Sequence, residues 1–272
     1  MKFQTTRARG IGRADGRSLL FCALLVLAQP ALCADPLEDT GPSVTPYRPS
    51  VSTPANLSAP GYLELEFGGL RVRGEGSTRR DSLPYTAKLA FDENWGLRIS
   101  GDAWVRQRDS SGERLEGTGD TGIVLKRRFA VDDKSAFGLE LGATMPTGKT
   151  GIGADSAAYS LNGIYSVDIG EWHSDLNLMT TRTNDPGQGI SRFQTLWAAS
   201  LSRPLSDRVG ITGEFSGTNQ RGAAGTSHFL LAATYNVSKA LVLDAGAARS
   251  LRRGAPDTSF FMGLTLLGPR LF

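Results

Sequence analysis

Between Gly61 and the C-terminus the apolar residues recur at every second position, and this period constrains the fold more than any other feature. Leu63, Leu65 and Phe67 alternate with Glu64 and Glu66; Leu83, Tyr85, Ala87, Leu89 and Phe91 alternate with Thr86 and Lys88; Leu97, Ile99, Ala103 and Val105 alternate with Arg98, Ser100, Asp102 and Arg106. Successive side chains of an extended chain point to opposite faces, so each stretch is a strand with one apolar and one polar side. The pattern continues to Phe260, Met262, Leu264 and Leu266, giving about twelve strands, each near the length that crosses a bilayer at a tilt. No long stretch has convincing helical spacing.

The connections sort into two alternating classes. Gly74 to Ser82, Gln107 to Asp120, Pro146 to Asp155 and Arg182 to Arg192 are long, whereas Asp92-Glu93-Asn94, Asp132-Asp133-Lys134 and Ser238-Lys239 are tight. An even number of strands, with long loops at one end and tight turns at the other, is the layout of an outer-membrane barrel. A soluble sandwich has no reason to segregate its loops in this way. Aromatic residues also gather near the strand ends, with Phe91, Trp95, Phe129, Phe137 and Trp172 toward the short turns and Tyr85, Tyr159, Phe193, Phe215 and Phe260 toward the long loops. Two belts of this kind fit two bilayer interfaces. The fold class is therefore all-β, a membrane-spanning antiparallel up-and-down β-barrel of about 12 strands over residues 61–272.

Residues 1–34 read as a signal peptide. Lys2, Arg7, Arg9, Arg13 and Arg17 precede an apolar run from Leu19 to Leu27, and Ala31-Leu32-Cys33-Ala34 supplies small residues at a cleavage point. Export, with the barrel signature, places the protein in the outer membrane of a Gram-negative bacterium. The leader holds five of the 30 basic residues and one of the 27 acidic ones, which leaves 25 and 26 in the remainder. The basic character of the whole chain therefore belongs to the leader, and no argument for nucleic acid survives its removal. Both cysteines, Cys22 and Cys33, are removed as well, and with only His173 and His228 an imidazole metal cluster is not expected; the expectation is no metal and no cofactor. Residues 35–60 contain six prolines among Ser and Thr with few large apolar side chains, and are expected to form a flexible linker.

Two blocks carry a family likeness: Gly117 to Phe129, GTGDTGIVLKRRF, and Ala143 to Ser166, ATMPTGKTGIGADSAAYSLNGIYS. They resemble the outer-membrane barrel family named for the MetA pathway of phenol degradation, with its Gly-x-Gly-Asp strand start, its Pro-Thr-Gly and its Gly-x-Gly-x-x-Asp loop. The resemblance implies a transporter of small hydrophobic or aromatic compounds. Arg127 departs from the pattern by standing where an aromatic is favoured, on the lipid-facing side, where it can snorkel toward the short-turn headgroups. The Gly148-Lys149-Thr150 sequence suggests a phosphate-binding loop, but the required first glycine is replaced by Ala143 and no helix follows. The stretch reads instead as a long hairpin loop.

A polar-lined barrel is most simply a passive route for a small solute. By parity the lumen candidates are Lys88, Arg98, Asp102, Arg106, Lys126, Arg128, Glu140, Asp175, Glu214 and Asp244, with Trp104 among several apolar side chains, including Ile164, Met179, Leu196 and Leu230, that either form a greasy path or pack against the proline-rich tail or a folded-in loop. The expected partners are outer-membrane lipids, the barrel-assembly machinery and a small-molecule solute. One alternative is a plugged structural or surface-interaction barrel. Another is a lipid hydrolase, which is disfavoured because His173-Ser174 and Ser227-His228 are adjacent and so face opposite ways, leaving no catalytic residues to expect.

Overall fold

The structure is a computed structural model and describes residues 41–74, 78–252 and 257–272; the segment expected as signal peptide lies outside them. The strands in chain order are β1 (Tyr62–Arg73), β2 (Arg79–Ala90), β3 (Trp95–Arg108), β4 (Arg114–Gly117), β5 (Thr121–Ala130), β6 (Ser135–Met145), β7 (Ala158–Ile169), β8 (Trp172–Thr183), β9 (Phe193–Pro204), β10 (Val209–Gln220), β11 (Thr226–Ser238), β12 (Leu241–Ser250) and β13 (Thr258–Arg270). Every pairing is antiparallel between neighbours, and β1 pairs with β13 as well as with β2, so the sheet closes on itself. The short β4 pairs with the far half of β3 while β5 pairs with its near half, so β4 and β5 share one place in the ring. The result is a closed barrel of twelve staves, in which no backbone edge is left to face hydrocarbon.

The distribution of burial is the reverse of that in a soluble domain. Met262, Leu178 and Leu231 are 67, 61 and 59 % exposed on the outside, whereas Glu64 and Glu214 are 0 and 1 % exposed on the inside. An apolar band of this size is stable only against lipid. The outer face carries its aromatics as neighbours across strands: the rings of Phe137 and Tyr165 lie 4.9 Å apart and those of Phe215 and Phe229 5.0 Å apart. Arg127 is held on this outer face near the short-turn end, its guanidinium 5.0 Å from the ring of Trp95 and 4.7 Å from that of Phe129. Two rings thus share its charge at the depth where the sequence expected it to reach for headgroups.

The strict alternation breaks once in β3. Between Pro84↔Asp102 and Ser82↔Val105 the register slips, because β3 spends one residue more than β2 over the same span. Beyond this bulge the faces exchange. Val105 turns inside and is fully buried, opposite buried Ser82. Trp104 and Arg106, expected in the lumen, turn outside: Arg106 sits opposite outward-facing Asp81, bonds Glu116 at 2.5 Å and lies 5.1 Å from the Trp104 ring.

Candidate functional site

The barrel is filled from within by its own N-terminal segment. Residues 41–60 were expected as part of a flexible linker; instead they thread the lumen on the short-turn side. The segment begins beside the β11–β12 turn, where Val44 N donates to Lys239 O at 2.9 Å. It rises along β1 to Arg48, crosses the lumen to β10 and β8, descends past β7 and β5, and meets Ala90 at Pro60. Composition alone misleads here, because the segment is ordered mainly by a polar wall built around it, with only Tyr47 and Ala55 adding buried apolar surface of its own.

Each contact matches a polar side chain of the inner wall to the backbone or a side chain of the plug. Thr45 N donates to Glu64 Oε2 at 2.9 Å and Tyr47 N to Glu66 Oε1 at 2.7 Å. Both carboxylates also receive Lys88, whose Nζ lies 2.5 and 2.6 Å away and donates to Thr45 O at 2.6 Å. Arg48 forms a two-point pair with Asp244, Nε to Oδ2 and Nη2 to Oδ1, both at 3.0 Å. Its guanidinium fits because Gly68 and Gly263 face each other across β1 and β13; a Cβ on either would approach its atoms to 2.7 and 2.6 Å. Glu214 has no cation partner among the described residues and instead accepts from Val51 N at 3.2 Å, Ser52 N at 2.8 Å and Ser52 Oγ at 2.8 Å. Thr53 exchanges hydrogen bonds with Asn177, and Ala55 N donates to Ser166 Oγ, which in turn donates to Asp175.

Tyr47 stands at the centre. The Nζ atoms of Lys88 and Lys126 lie 4.0 and 4.3 Å from its ring centroid, and the Arg98 guanidinium 5.7 Å. Its hydroxyl accepts from Lys126 Nζ at 2.9 Å and donates to Asn56 O at 2.9 Å. Lys126 also donates to Pro54 O and lies 3.6 Å from Glu140, which receives Arg98 at 3.4 Å and Asn162 at 3.0 Å. Arg98 Nε and Asn162 Oδ1 are buried there without a partner among the described residues.

Of the residues singled out by parity, Lys88, Arg98, Lys126, Glu140, Asp175, Glu214 and Asp244 meet in this network, and Arg128 joins it through Asn56 Oδ1 at 3.0 Å. Asp102 faces inward nearer the long loops, paired with Arg80 at 2.9 Å. Ile164 packs against Ala55 and Ala136, so it is a contact for the tail, as one of the two expectations held. Tyr47, Arg48, Glu64, Glu66, Asn162 and Asn177 were not singled out, although Tyr47 and Arg48 are the single aromatic and single basic residue of 35–60. His173 lies on the inner face between Asp168 and Asp175, at 2.6 and 3.0 Å, while Ser174 Oγ donates to Ser200 O. The histidine and the serine that follows it therefore do not meet. Between the plug and β8–β12 a cavity of ≈ 940 Å³ remains on the short-turn side.

At the long-loop end the two glycine-rich blocks bind each other. The Asp120 carboxylate accepts Gly148 N at 2.9 Å and Ala154 N at 2.7 Å, and Lys149 Nζ donates to Glu116 O at 2.7 Å. The loop does wrap backbone N–H groups around an anion, but the anion is the chain's own carboxylate. Gly153 is required at this closure, since a Cβ there would lie 2.2 Å from Asp120 Oδ1.

The profile of the family described as "Putative MetA-pathway of phenol degradation" matches residues 42–267, which includes the plug as well as the barrel. The chain belongs to this family. Among solved structures it is similar to the COG4313 outer membrane channel from Pseudomonas putida F1, with a TM-score of 0.60 and 13% identity over 82% of this chain and 99% of that one. It is also similar to the NanC porin, with a TM-score of 0.57 and 8% identity over 74% of this chain and 98% of that one. The CymD monoaromatic hydrocarbon channel gives 0.52 and 10% identity over 79% and 90%. Identities this low establish a common barrel fold. No curated protein sequence matches the chain.

Proposed function

We propose that the protein is an outer-membrane channel giving passive passage to small hydrophobic or aromatic solutes. The observation that carries this reading is the division of the lumen. On the short-turn side it is crossed by the plug, and the charged side chains there are engaged with one another or with the plug. A hydrated ion has no reason to displace that network, because each broken pair leaves a buried charge uncompensated. On the long-loop side the inner wall carries Val124, Met179 and Leu196 next to hydroxyl and amide groups, a surface suited to an apolar solute. The likeness to a channel described as carrying monoaromatic hydrocarbons, and the family's description, support the same solute class.

The reading includes export by residues 1–34, assembly with the C-terminal strand as the segment read by the barrel-assembly machinery, and no catalytic role for either histidine. The crossing of the lumen by the plug favours one competing reading, a barrel that passes nothing, although the cavity of ≈ 940 Å³ beside the plug leaves it incomplete. Purified protein in liposomes separates the two. Toluene and phenol should equilibrate faster than in empty vesicles while potassium leaks at the control rate. No acceleration of either aromatic by a folded barrel would leave the structural reading standing in place of ours.

A further inference from the structure

The outer wall at the long-loop end carries a row of arginines of which most have no ion pair among the described residues. Following the register across six strands from β12 to β4, the outward positions at one height are Arg249, Thr258, Arg73, Arg79, Arg108 and Arg114. All six share the parity of the lipid-facing side chains on their strands; for β3 this holds because the bulge has already exchanged the faces. Neighbouring strands lie about 4.8 Å apart, so the row extends about 24 Å along the rim.

Like charges placed opposite each other on paired strands repel. Arg73↔Arg79, Arg79↔Arg108 and Arg108↔Arg114 are three such pairs in succession. The row beneath is built differently: Phe260, Arg71, Asp81, Arg106 and Glu116 are neighbours, and its charges are neutralised by Arg71–Asp81 at 2.6 Å and Arg106–Glu116 at 2.5 Å. Of the upper row, Arg79 shares Asp81 at 2.6 Å, while Arg73, Arg108, Arg114 and Arg249 have no ion pair among the described residues. Of the two acids adjacent in sequence to these arginines, Asp109 is taken up by its own turn, accepting from Ser111 Oγ and Glu113 N, and Glu113 makes no ion pair among the described residues; the glutamate at position 75 lies outside the described residues. The far wall at the corresponding height presents Tyr159, Arg182 and Phe193, with Arg182 bonded to Asn184. The excess of cation is therefore confined to one side of the barrel.

We infer that this row docks the phosphate groups of lipopolysaccharide, the glycolipid of the outer leaflet. The long-loop end of an outer-membrane barrel meets that leaflet, and guanidinium groups bind phosphate by two-point hydrogen bonds. Below the paired charges of the second row, apolar side chains are available for the acyl chains, with Trp104, Tyr85 and Leu83 on the same wall. The bound anions relieve the repulsion that the bare row carries. The inference rests on the outer-membrane reading above, but not on transport, so a failure of solute flux leaves it untouched.

The test uses the full barrel purified in detergent, with native mass spectrometry of bound lipid. The probes are bisphosphorylated lipid A, its dephosphorylated form and phosphatidylglycerol. The fourfold variant R73Q/R108Q/R114Q/R249Q leaves the Arg79–Asp81 pair in place, and R182Q on the far wall is the control. Lipid A should bind the native protein and R182Q at least tenfold more tightly than the fourfold variant, and the dephosphorylated form should not distinguish them. Should the fourfold variant fail to show the mobility of a folded barrel, R108Q/R114Q serves with a smaller expected loss. Equal binding of lipid A by a folded variant, or phosphatidylglycerol bound as tightly as lipid A, overturns the inference.

Discussion

Glu214 is the point at which the plug is most exposed to a single change. Its carboxylate is 1 % exposed, has no cation partner among the described residues, and takes Val51 N, Ser52 N and Ser52 Oγ. Glu214→Ala removes the acceptor and leaves three donors facing an empty space in the lumen. Hydrogen bonds to a charged group contribute about 1.5–3 kcal/mol each, and allowing for water entering the space the local loss should be about 3–6 kcal/mol. Because about 1.4 kcal/mol is a factor of ten, the amides of Val51 and Ser52 should exchange with solvent about 10²–10⁴ times faster. The strands should not follow, since Arg48–Asp244 and Tyr47 N–Glu66 hold the other arm of the plug. Hydrogen exchange read by mass spectrometry on peptides covering 41–60 and β10 makes the comparison. If residues 51 and 52 keep their native protection while the barrel remains folded, the carboxylate is not what docks the plug and the reasoning fails. Glu214→Gln, which keeps one oxygen but turns a donor toward donors, should fall between the two.

The other expectations can be checked singly. Combining Glu214→Ala with Arg48→Ala, which also empties the slot over Gly68 and Gly263, should make potassium leak from vesicles that the native protein keeps tight; unchanged leak would show that the plug is not the ion barrier. Asp120→Ala should free the 146–157 loop by about 1–2 kcal/mol through the loss of two partly exposed N–H bonds, seen as faster proteolysis after Lys149. With every other tryptophan replaced by Phe, Trp104 emission should be quenched by brominated lipid, whereas a lumen-facing ring would be insensitive. The Asp132 carboxyl is held below the usual carboxylate range by Lys134 N and the Ser135 hydroxyl, so its contribution to the turn is present above the unfolded value of about 3.9 and is lost as pH falls through the lowered folded value. The Lys134 amide shift should therefore titrate below pH of about 4, and a midpoint at or above that would contradict the turn geometry.

Much of the barrel could be read from the sequence because alternation reports the face of a side chain directly. Lys88, Lys126, Glu140, Asp175, Glu214 and Asp244 all sit on the inner wall for that reason alone. Parity is a running count, however, and one inserted residue reverses every later assignment on the strand. The Ala103–Trp104 bulge did so for Trp104 and Arg106; the residues that mark it, Pro84 across on β2 and Gly101 just before it, do not by themselves say which strand carries the extra residue. The plug was illegible for another reason. The rule that a proline-rich, apolar-poor segment stays disordered considers only what that segment can bury by itself. Tyr47 and Arg48 looked isolated because their partners, Lys88, Lys126 and Asp244, are distant in sequence and belong to the barrel.

The two halves of the problem meet in the polar inner face. Taken alone, its mixed charges suggest a water-filled pore. But among the described residues the inner wall by itself leaves Glu214 and Asp244 without cations, and buried charge is stable only when it is paired and fully hydrogen-bonded. Arg48 supplies one missing partner and the backbone of residues 51 and 52 the other. The polarity of the wall is thus the complement of the plug, and it carries little information about the solute. That information lies in the long-loop half, in the inward apolar residues Met179 and Leu196, which have no contact with the plug among the hydrogen bonds and core packing described above. A polar substitution such as Leu196→Gln should therefore slow passage of toluene while leaving the exchange of residues 41–60 unchanged. If passage is unaffected, the solute does not touch that wall, and the proposed route has to be drawn elsewhere on the barrel.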